Sequence, residues 1–574
     1  MQVVSEHWKN AHRRTLLSES FVEISLGIAD PESLADAKSQ DNGAIYISNS
    51  SLLTDGIDES PTPYCTLEQN LWCLDGNRKA LPESDFGDNC YISDAMSDDT
   101  CVFSEKLPSI TIQFANGKVY NKLIPGITIT WSKTYGEFAD SFLVVAYQGE
   151  TVVAEKEVVD NKSVKTMVFA DIVNYDRIVV VIKKWCLPHH RARVEEIYVG
   201  VDKVYGKSEL FDYSHSQSVD LSSLSLPKSE IKFSIDNVDG EYNPYNRDGL
   251  AKYLMERQEV NARYGLKMDD GSIEWIKGGI FYLSEWSAKQ NGLTAEFSAR
   301  DLLEFMSSIY YDTDYSEVTL GTPTADGTVV DGNGNVVVNA DGKILYERSL
   351  YDLAKMVLIS AELPLNSDGT TKWVIDESLR NMKTTAPLPE DTRANCLQLI
   401  ANAAMCVLYQ DREGKLRITP FEFNVIPNEN DVPDYRITPF NSYTKSEITL
   451  AKPIKTIGVK FYTYSLDDDK NVNGKYQTFY HVGHLSEGET IVVDNPLVTD
   501  ATVAQAIEGW LYNQHLRWRK TLESSWRADV RLDALDFVEN ENEYSTERML
   551  ITEVEYQYNG AFRAKGKGKV IGDG

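Results

Sequence analysis

Seven times in succession between residues 107 and 200, the chain sets a short run of β-branched and aromatic residues against a turn. The runs are SITIQF, GITITW, SFLVVAY, TVVAEKEVV, KTMVFA, RIVVVIKKW and VEEIYVGV. They are too short for ordinary helices and too evenly punctuated for a parallel α/β sheet. Short strands at this spacing predict an all-β sandwich. In ITITW, alternation puts Ile127, Ile129 and Trp131 on one face. The run IVVVI (178–182) is apolar throughout, which predicts a strand covered on both sides.

The rest of the chain is also rich in β signals. Residues 1–26 read as a polar lead-in and then a strand, with Phe21, Ile24 and Leu26 on its apolar side. From 30 to 105, Gly, Ser, Asp, Asn and Pro are dense, which predicts short strands between structured loops. SEIKFSIDN alternates Ile231, Phe233 and Ile235, and GIFYLSEWSA and LTAEFSAR continue as strands. DLLEFM (301–306) reads as a short helix. Residues 320–346 read as an inserted polar hairpin or mobile loop, with Val329, Val330 and Val336 to Val338 between Asp-Gly and Asn-Gly turns. Three helices stand out. The first, 349–363, aligns Leu350, Leu353, Met356, Val357 and Ser360 and stops at Pro364. The second, 393–409, aligns Leu397, Ile400, Ala401, Ala404 and Leu408, with Thr392 as N-cap. The third, 501–519, aligns Val503, Ile507, Trp510, Leu511 and Gln514, with Asp500 as cap. GKLRITPFEF, IKTIGVKFYTY and MLITEVEYQYNGAFRAKGKGKV return to strand. No flexible linker separates these units, so they are expected to pack directly on one another.

Charge narrows the function. The net charge of −30 argues against a general nucleic-acid binder or a polybasic membrane-surface protein. No apolar run is long enough to span a bilayer, and the opening MQVVSEHWKNAHRRTLL has no signal core, so export by that route is not expected. The motifs GxSxG, HExxH and GxxxxGK[ST] are absent, and eight histidines leave few general bases. No catalytic residue is therefore assigned. His481 and His484 lack further ligands nearby. Asp467 to Asp469 and DGNGN (331–335) read as solvated turns, whereas Asp55 and Asp58 around a Gly turn could hold a structural calcium. Seven cysteines without a CxxC pair read as free thiols in a reducing compartment. One or two disulfides among Cys65, Cys73, Cys90, Cys101 and Cys186 are the alternative.

Two stretches resemble known families. TPYCTLEQNLWCLDGN, YISDAMSDDTCVFSEKLPSITIQF, GITITWSKTYGEFADSFLVVAY and the closing RARVEEIYVG resemble, in that order, a discoidin-type (galactose-binding-like) domain. The resemblance implies a jelly-roll β-sandwich whose loops at one end bind glycans, lipids or proteins, with a structural calcium near the first loops in many members. A terminal cystine pair is missing here, since Cys186 precedes the last strand. The second resemblance is to tailed-bacteriophage tail-tip proteins of the baseplate-hub, tail-associated type. It is carried by 226–266, 278–306, 373–418, VDNPLV (493–498) and WRADVRLDALDFV (526–538) running into the last strands. It implies a mainly β fold with α/β parts: two tube-like β barrels plus α+β domains. The expected divisions are the start of the first hub barrel at 1–28, the sandwich insertion at 29–200 and the rest of that barrel at 201–310. An α/β domain follows at 311–440, and the second barrel at 441–574. In this frame Tyr242, Pro244 and Tyr245 fix a turn-rich joint, and Leu532, Leu535 and Phe537 are core positions at a sheet crossing.

The resemblance further implies a homotrimer at the tail tip of a virion, made in the host cytoplasm. Its expected neighbours are the tail tube, distal tail proteins and other baseplate or receptor-binding proteins. DNA would pass through an acidic lumen without specific binding, and no cofactor is expected beyond a structural calcium. For attachment to a host-surface polysaccharide, the candidate glycan-binding residues are Tyr64, Trp72, Asp75, Asn77, Trp185, His189, His190 and Arg191, which offer aromatic faces and planar polar groups. Arg191 and Arg193 have a second reading, as strand-end salt bridges. The competing functions are a cell-wall-degrading tail enzyme and a free carbohydrate-binding adhesin.

Overall fold

Val22, Ile24, Leu26 and Ile28 occupy every second position of the strand Ser20–Ile28, and all four are buried. Period-2 geometry therefore sends Phe21 to the opposite face, where its ring meets Trp275 at 6.3 Å between centroids. This corrects the expectation that Phe21 lies with Ile24 and Leu26. The computed structural model describes residues 2–14, 18–54, 62–73, 76, 78–80, 90–114, 118–289, 292–365, 370–422, 433, 435–469, 471–482 and 487–571.

The protein is mainly β, and one 13-stranded sheet organises it. From one end the order is Val201–Tyr205, Ser20–Ile28, Glu259–Lys267, Ile273–Ala288, Thr294–Arg300, Lys228–Asp236 and Leu210–Ser218. It continues through Thr546–Tyr558, Phe562–Val570, Lys520–Arg527 and Glu447–Leu450, while Phe537–Glu541 branches off Thr546–Tyr558 and pairs in turn with Tyr435–Ile437. Among the described residues no sheet closes on itself, so two separate closed barrels are not seen. The reason lies in the strand Leu210–Ser218. One of its edges pairs with Lys228–Asp236 and the other with Thr546–Tyr558, in the register Tyr213↔Tyr558 to Ser218↔Glu553. Both edges are occupied, so the amino-terminal and carboxy-terminal strands form one continuous ladder. A single hydrophobic core spans this junction, from Trp8 and Ile24 through Ile231 and Phe297 to Trp526, Tyr556 and Val570.

A second core gathers the helices. Leu350–Ser360, Arg393–Ala403 and Ala501–Arg517 share it with Val337, Val338, Ile457 and Val459. Thr392 and Asp500 cap their helices as expected, Thr392 accepting from the Asn395 amide and Asp500 from Thr502 and Val503. The helix expected over 393–409 stops at Ala403. Met405 turns the chain in the left-handed region (φ 53), and Cys406–Gln410 is a strand. Cys406, Val407 and Leu408 are all buried, and a short apolar run of this kind reads alike as helix or strand. The 320–346 segment is a three-stranded meander whose Val337 and Val338 pack into this core, so the expectation of a mobile loop does not hold. DLLEFM is a 3-10 turn, Leu302–Met306, capped by Asp301. Leu532 lies in the first core while Leu535 and Phe537 pack against the second, which places them where the two meet. Tyr242 is buried beside Tyr205, whereas Tyr245 is exposed.

Residues 37–199 hold a third core between a five-stranded sheet (Lys38–Asp41, Ser109–Gln113, Arg177–Trp185, Ala139–Gln148, Thr151–Val158) and a three-stranded one (Glu196–Tyr198, Ile124–Thr130, Lys165–Ile172). Here two expectations exchange places. In the run 178–182 only Ile178, Val180 and Ile182 are buried, while Val179 and Val181 lie half exposed on the outer face. The alternating ITIT strand is buried on both faces. Its threonine side lies under the returning chain: Thr128 Oγ1 donates to the Gly200 carbonyl and accepts from the Asp202 amide, both at 3.2 Å.

The junction strand also carries a titration. His215 is fully buried, with Nδ1 2.9 Å from Tyr264 Oη and Nε2 3.3 Å from Ser229 Oγ. Burial, reinforced by the Arg412 charge, pushes its pKa down to about 3. In the unfolded chain the ring protonates near 6.5, so the stability it confers is present above that pH and is lost as the pH falls towards 3. We expect His215→Gln to flatten this window by one proton, about 1.4 kcal/mol per pH unit, in denaturant titrations at stepped pH.

Candidate functional site

At one end of the sandwich the strands Tyr91–Met96 and Arg191–Val194 pair, and the loops at 62–73, 132–138 and 186–190 converge on them. Trp185 ends its strand with the ring fully buried, edge-on to Trp131 at 6.0 Å, and its Nε1–H donates to Glu137 Oε2 at 2.8 Å. His189 takes the left-handed conformation (φ 56), so the two histidines part. His189 is exposed, with Nε2 2.8 Å from Asp99 Oδ1, and His190 turns inward, with Nδ1 2.9 Å from Glu137 Oε1.

The strand that follows completes a buried polar cluster. The Arg191 amide donates to Glu68 Oε1 at 2.7 Å, and its guanidinium donates to the carbonyls of Ser93 and Asp94. Arg193 is buried, donates to Glu68 Oε2, lies 3.5 Å from Glu137 Oε2 and covers the Tyr135 ring at 4.9 Å. Burial opposes ionisation of Glu68. The Arg193 charge, with hydrogen bonds from Arg193, Thr66 and the Arg191 amide, outweighs it and holds the carboxyl below its usual range. Two acids, an arginine, a histidine and an indole N–H thus pair inside the sandwich end, with Arg193 Nε left without a partner among the described residues.

Above the cluster lies a small cleft of about 30 Å³, open to solvent. Thr62, Tyr64, Thr66, Ser132, Tyr135, Arg193 and Glu195 line it. Tyr64 is largely buried against Ile47 and Ile92 and contributes to the wall. Aromatic surface, hydroxyls and a charged pair in one concavity suit a polyhydroxylated ligand: rings meet C–H faces and polar groups meet hydroxyls.

Of the eight residues expected to bind, the structure brings Tyr64 to this cleft. Trp185 and His190 are internal and hold Glu137, so they are not open to a ligand. Arg191 is engaged by the chain itself, and it and Arg193 take the ion-pair and hydrogen-bond role read as the alternative, with Arg193 buried rather than exposed. Trp72 is 58% exposed, and His189 is exposed on the far side of its turn. Asp75 and Asn77 lie outside the described residues, as do Asp55 and Asp58. Sequence reasoning missed Glu68, Tyr135 and Glu137. The signal for Tyr135 and Glu137 was present in KTYGEF, where they flank a turn glycine next to a tryptophan strand, whereas Glu68 in CTLEQN carried none.

Among the described residues no group of three or more His, Cys, Asp or Glu side chains could hold a metal ion. Asp331 and Asp467 accept hydrogen bonds from their own turns, which lower both carboxyls. The side chains of His481 and His484 lie outside the described residues. All seven cysteines are free. Cys65 Sγ–H donates to the Cys73 carbonyl at 2.9 Å, and Cys186 Sγ accepts from the Phe138 amide at 3.3 Å.

Removing Glu137 would strand Trp185, His190 and part of the Arg193 charge. Glu137→Ala is therefore expected to cost about 3–5 kcal/mol, read by denaturant unfolding followed through tryptophan emission, with Glu137→Gln costing less.

No family model matches the chain, and no curated protein matches it. Solved structures similar to it include the 43 kDa tail protein of prophage MuSo2 from Shewanella oneidensis, at 11% identity, covering 64% of this chain and 95% of that one with a TM-score of 0.38. A tail protein from Neisseria meningitidis MC58 is 10% identical over 64% of this chain and 94% of its own, TM-score 0.38. Prophage tail protein gp18 from Listeria monocytogenes EGD-e is 10% identical over 64% and 91%, TM-score 0.33. All three are tail proteins, two of them from prophages.

Proposed function

We propose that this chain is a structural tail-tip hub protein of a tailed bacteriophage or phage-derived particle, and that its sandwich attaches the particle to a host-surface glycan through the cleft at Tyr64, Tyr135 and Arg193. One observation supports the reading above others: the manner in which the sandwich is carried. The chain leaves the large sheet at Ile28 and returns at Val201, and these two residues are direct partners in an antiparallel pair. A recognition module thus leaves and re-enters the scaffold at adjacent residues, rests on it through contacts such as Tyr253 and Lys252 with Asp171, and leaves the scaffold's own ladder to run on without it. The order of hub-like motifs along the scaffold, given above, supports the hub role.

In this reading three copies ring the end of a tail tube, DNA passes without specific binding, and the neighbours are tube and baseplate proteins. The chain performs no covalent chemistry. The proposal is tested with two proteins: the full chain, and a variant in which residues 30–199 are replaced by a short Gly-Ser turn. Light scattering is expected to give three times the chain mass for both, while the full chain binds host cell walls much more tightly than the variant. A full chain that stays monomeric and binds glycan would instead be an adhesin, and digestion of the walls would mark a lytic enzyme. Either result sinks the hub reading.

A further inference from the structure

The hairpin of Ile454–Leu466 and Val472–Val482 has two unlike faces. One face carries Ile457 and Val459 into the helical core under Ala501–Arg517. On the other, antiparallel register aligns Gly458 with Tyr480, Lys460 with Thr478, Tyr462 with Tyr476 and Tyr464 with Gly474. Tyr462, Tyr464, Tyr476 and Tyr480 therefore line up across two strands; Tyr464 is buried in the helical core with Tyr462 packed against it, while Tyr476 and Tyr480 remain 55% and 54% exposed. From 476 to 480 the strand advances about 13 Å.

The rings of this row are held in place. A Cβ on Gly458 would come within 2.8 Å of the Tyr480 ring, and one on Gly474 within 2.8 Å of the Tyr464 ring, so each glycine lets a ring lie against the backbone. Tyr462 stacks on Tyr464 (6.0 Å, 19°) and lies 5.6 Å from Tyr476. Lys460 Nζ sits 4.3 Å from the centre of the Tyr476 ring and 2.6 Å from the Asp494 carboxylate, which also accepts from Tyr462 Oη. One cation and one anion cancel at the middle of the row.

We propose that this tyrosine row is a second carbohydrate-binding site, and that it takes a neutral, linear polysaccharide. Fixed rings with exposed faces stack on sugar C–H surfaces at little further loss of side-chain freedom. The Lys460–Asp494 pair and Thr478 supply donors and acceptors for hydroxyls. The row has no net charge within a chain of −30, so an anionic polymer would be repelled. Its exposed part is narrow, two tyrosines along one strand, which fits a strand-like ligand; a stable protein partner needs about 800 Å² on each side. The site lies in the scaffold, outside the sandwich, and does not depend on the cleft binding anything.

The test is calorimetric titration of the full chain with maltoheptaose, cellohexaose and laminarihexaose. At least one is expected to bind, with the affinity falling tenfold or more in Tyr476→Ala and in Tyr480→Ala. Tyr245→Ala, at an exposed tyrosine on a separate turn, is expected to leave it unchanged. The proposal is overturned if none of the three binds, or if both row variants bind as the parent does. It is equally overturned if the row variants lower the assembly mass in light scattering while sugar binding persists, because the row would then be a contact between copies. Circular dichroism of each variant separates loss of binding from loss of fold.

Discussion

The pairing of Leu210–Ser218 with Thr546–Tyr558 is the constraint on which the rest of this molecule depends. It joins segments more than 330 residues apart in the chain, so its loop-closure cost is large and must be met by what the junction buries. The junction is accordingly dense: Tyr213, His215, Tyr264 and Tyr556 are all fully buried there, with their polar atoms paired with one another, with Ser229 or with the backbone. Arg412 bridges the same region. Its guanidinium donates to Asp533 Oδ1, the Leu532 carbonyl and the Lys277 carbonyl, so a turn of the helical unit grips both halves of the sheet. A buried cation with that many partners strengthens geometry more than it adds net stability.

The sandwich uses a different arrangement. Its core is apolar, but the end that forms the cleft is held by Glu68, Glu137, His190 and Arg193. Such a network is costly when half satisfied and rigid when complete. The ion pairs and hydrogen bonds of Glu68, Glu137, His190 and Arg193 therefore fix the cleft wall from within.

Much of this was legible in the sequence where the signal was local. The seven sandwich strands, the caps Thr392 and Asp500 and the helix 501–517 follow from alternation, periodicity and capping chemistry, which act over a few residues. What was illegible depends on partners far away. Thr128 and Thr130 look solvent-facing until the returning chain covers them, and Val179 and Val181 look buried although nothing covers their face. The sheet's failure to close follows from a partner strand hundreds of residues later. Among site residues, Tyr64 could be anticipated as a loop aromatic. Trp185 and His190 have the side chains of a binding site, and only the position of Glu137 shows that they face inward.

The exit and return of the sandwich at Ile28 and Val201 also govern how the molecule would bear load. The strand Ser20–Ile28 is clamped on its other edge by Glu259–Lys267, whereas Val201–Tyr205 occupies the margin of the sheet and pairs only with Ser20–Ile28. A tug on the tethered module reaches this ladder at its open end and parts it one rung at a time, beginning with Ile28–Val201. Peeling of this kind engages one rung at once, whereas sliding would strain all five together. The short marginal strand thus acts as a mechanical fuse, paying out chain under tension while the ladder beneath it stays whole.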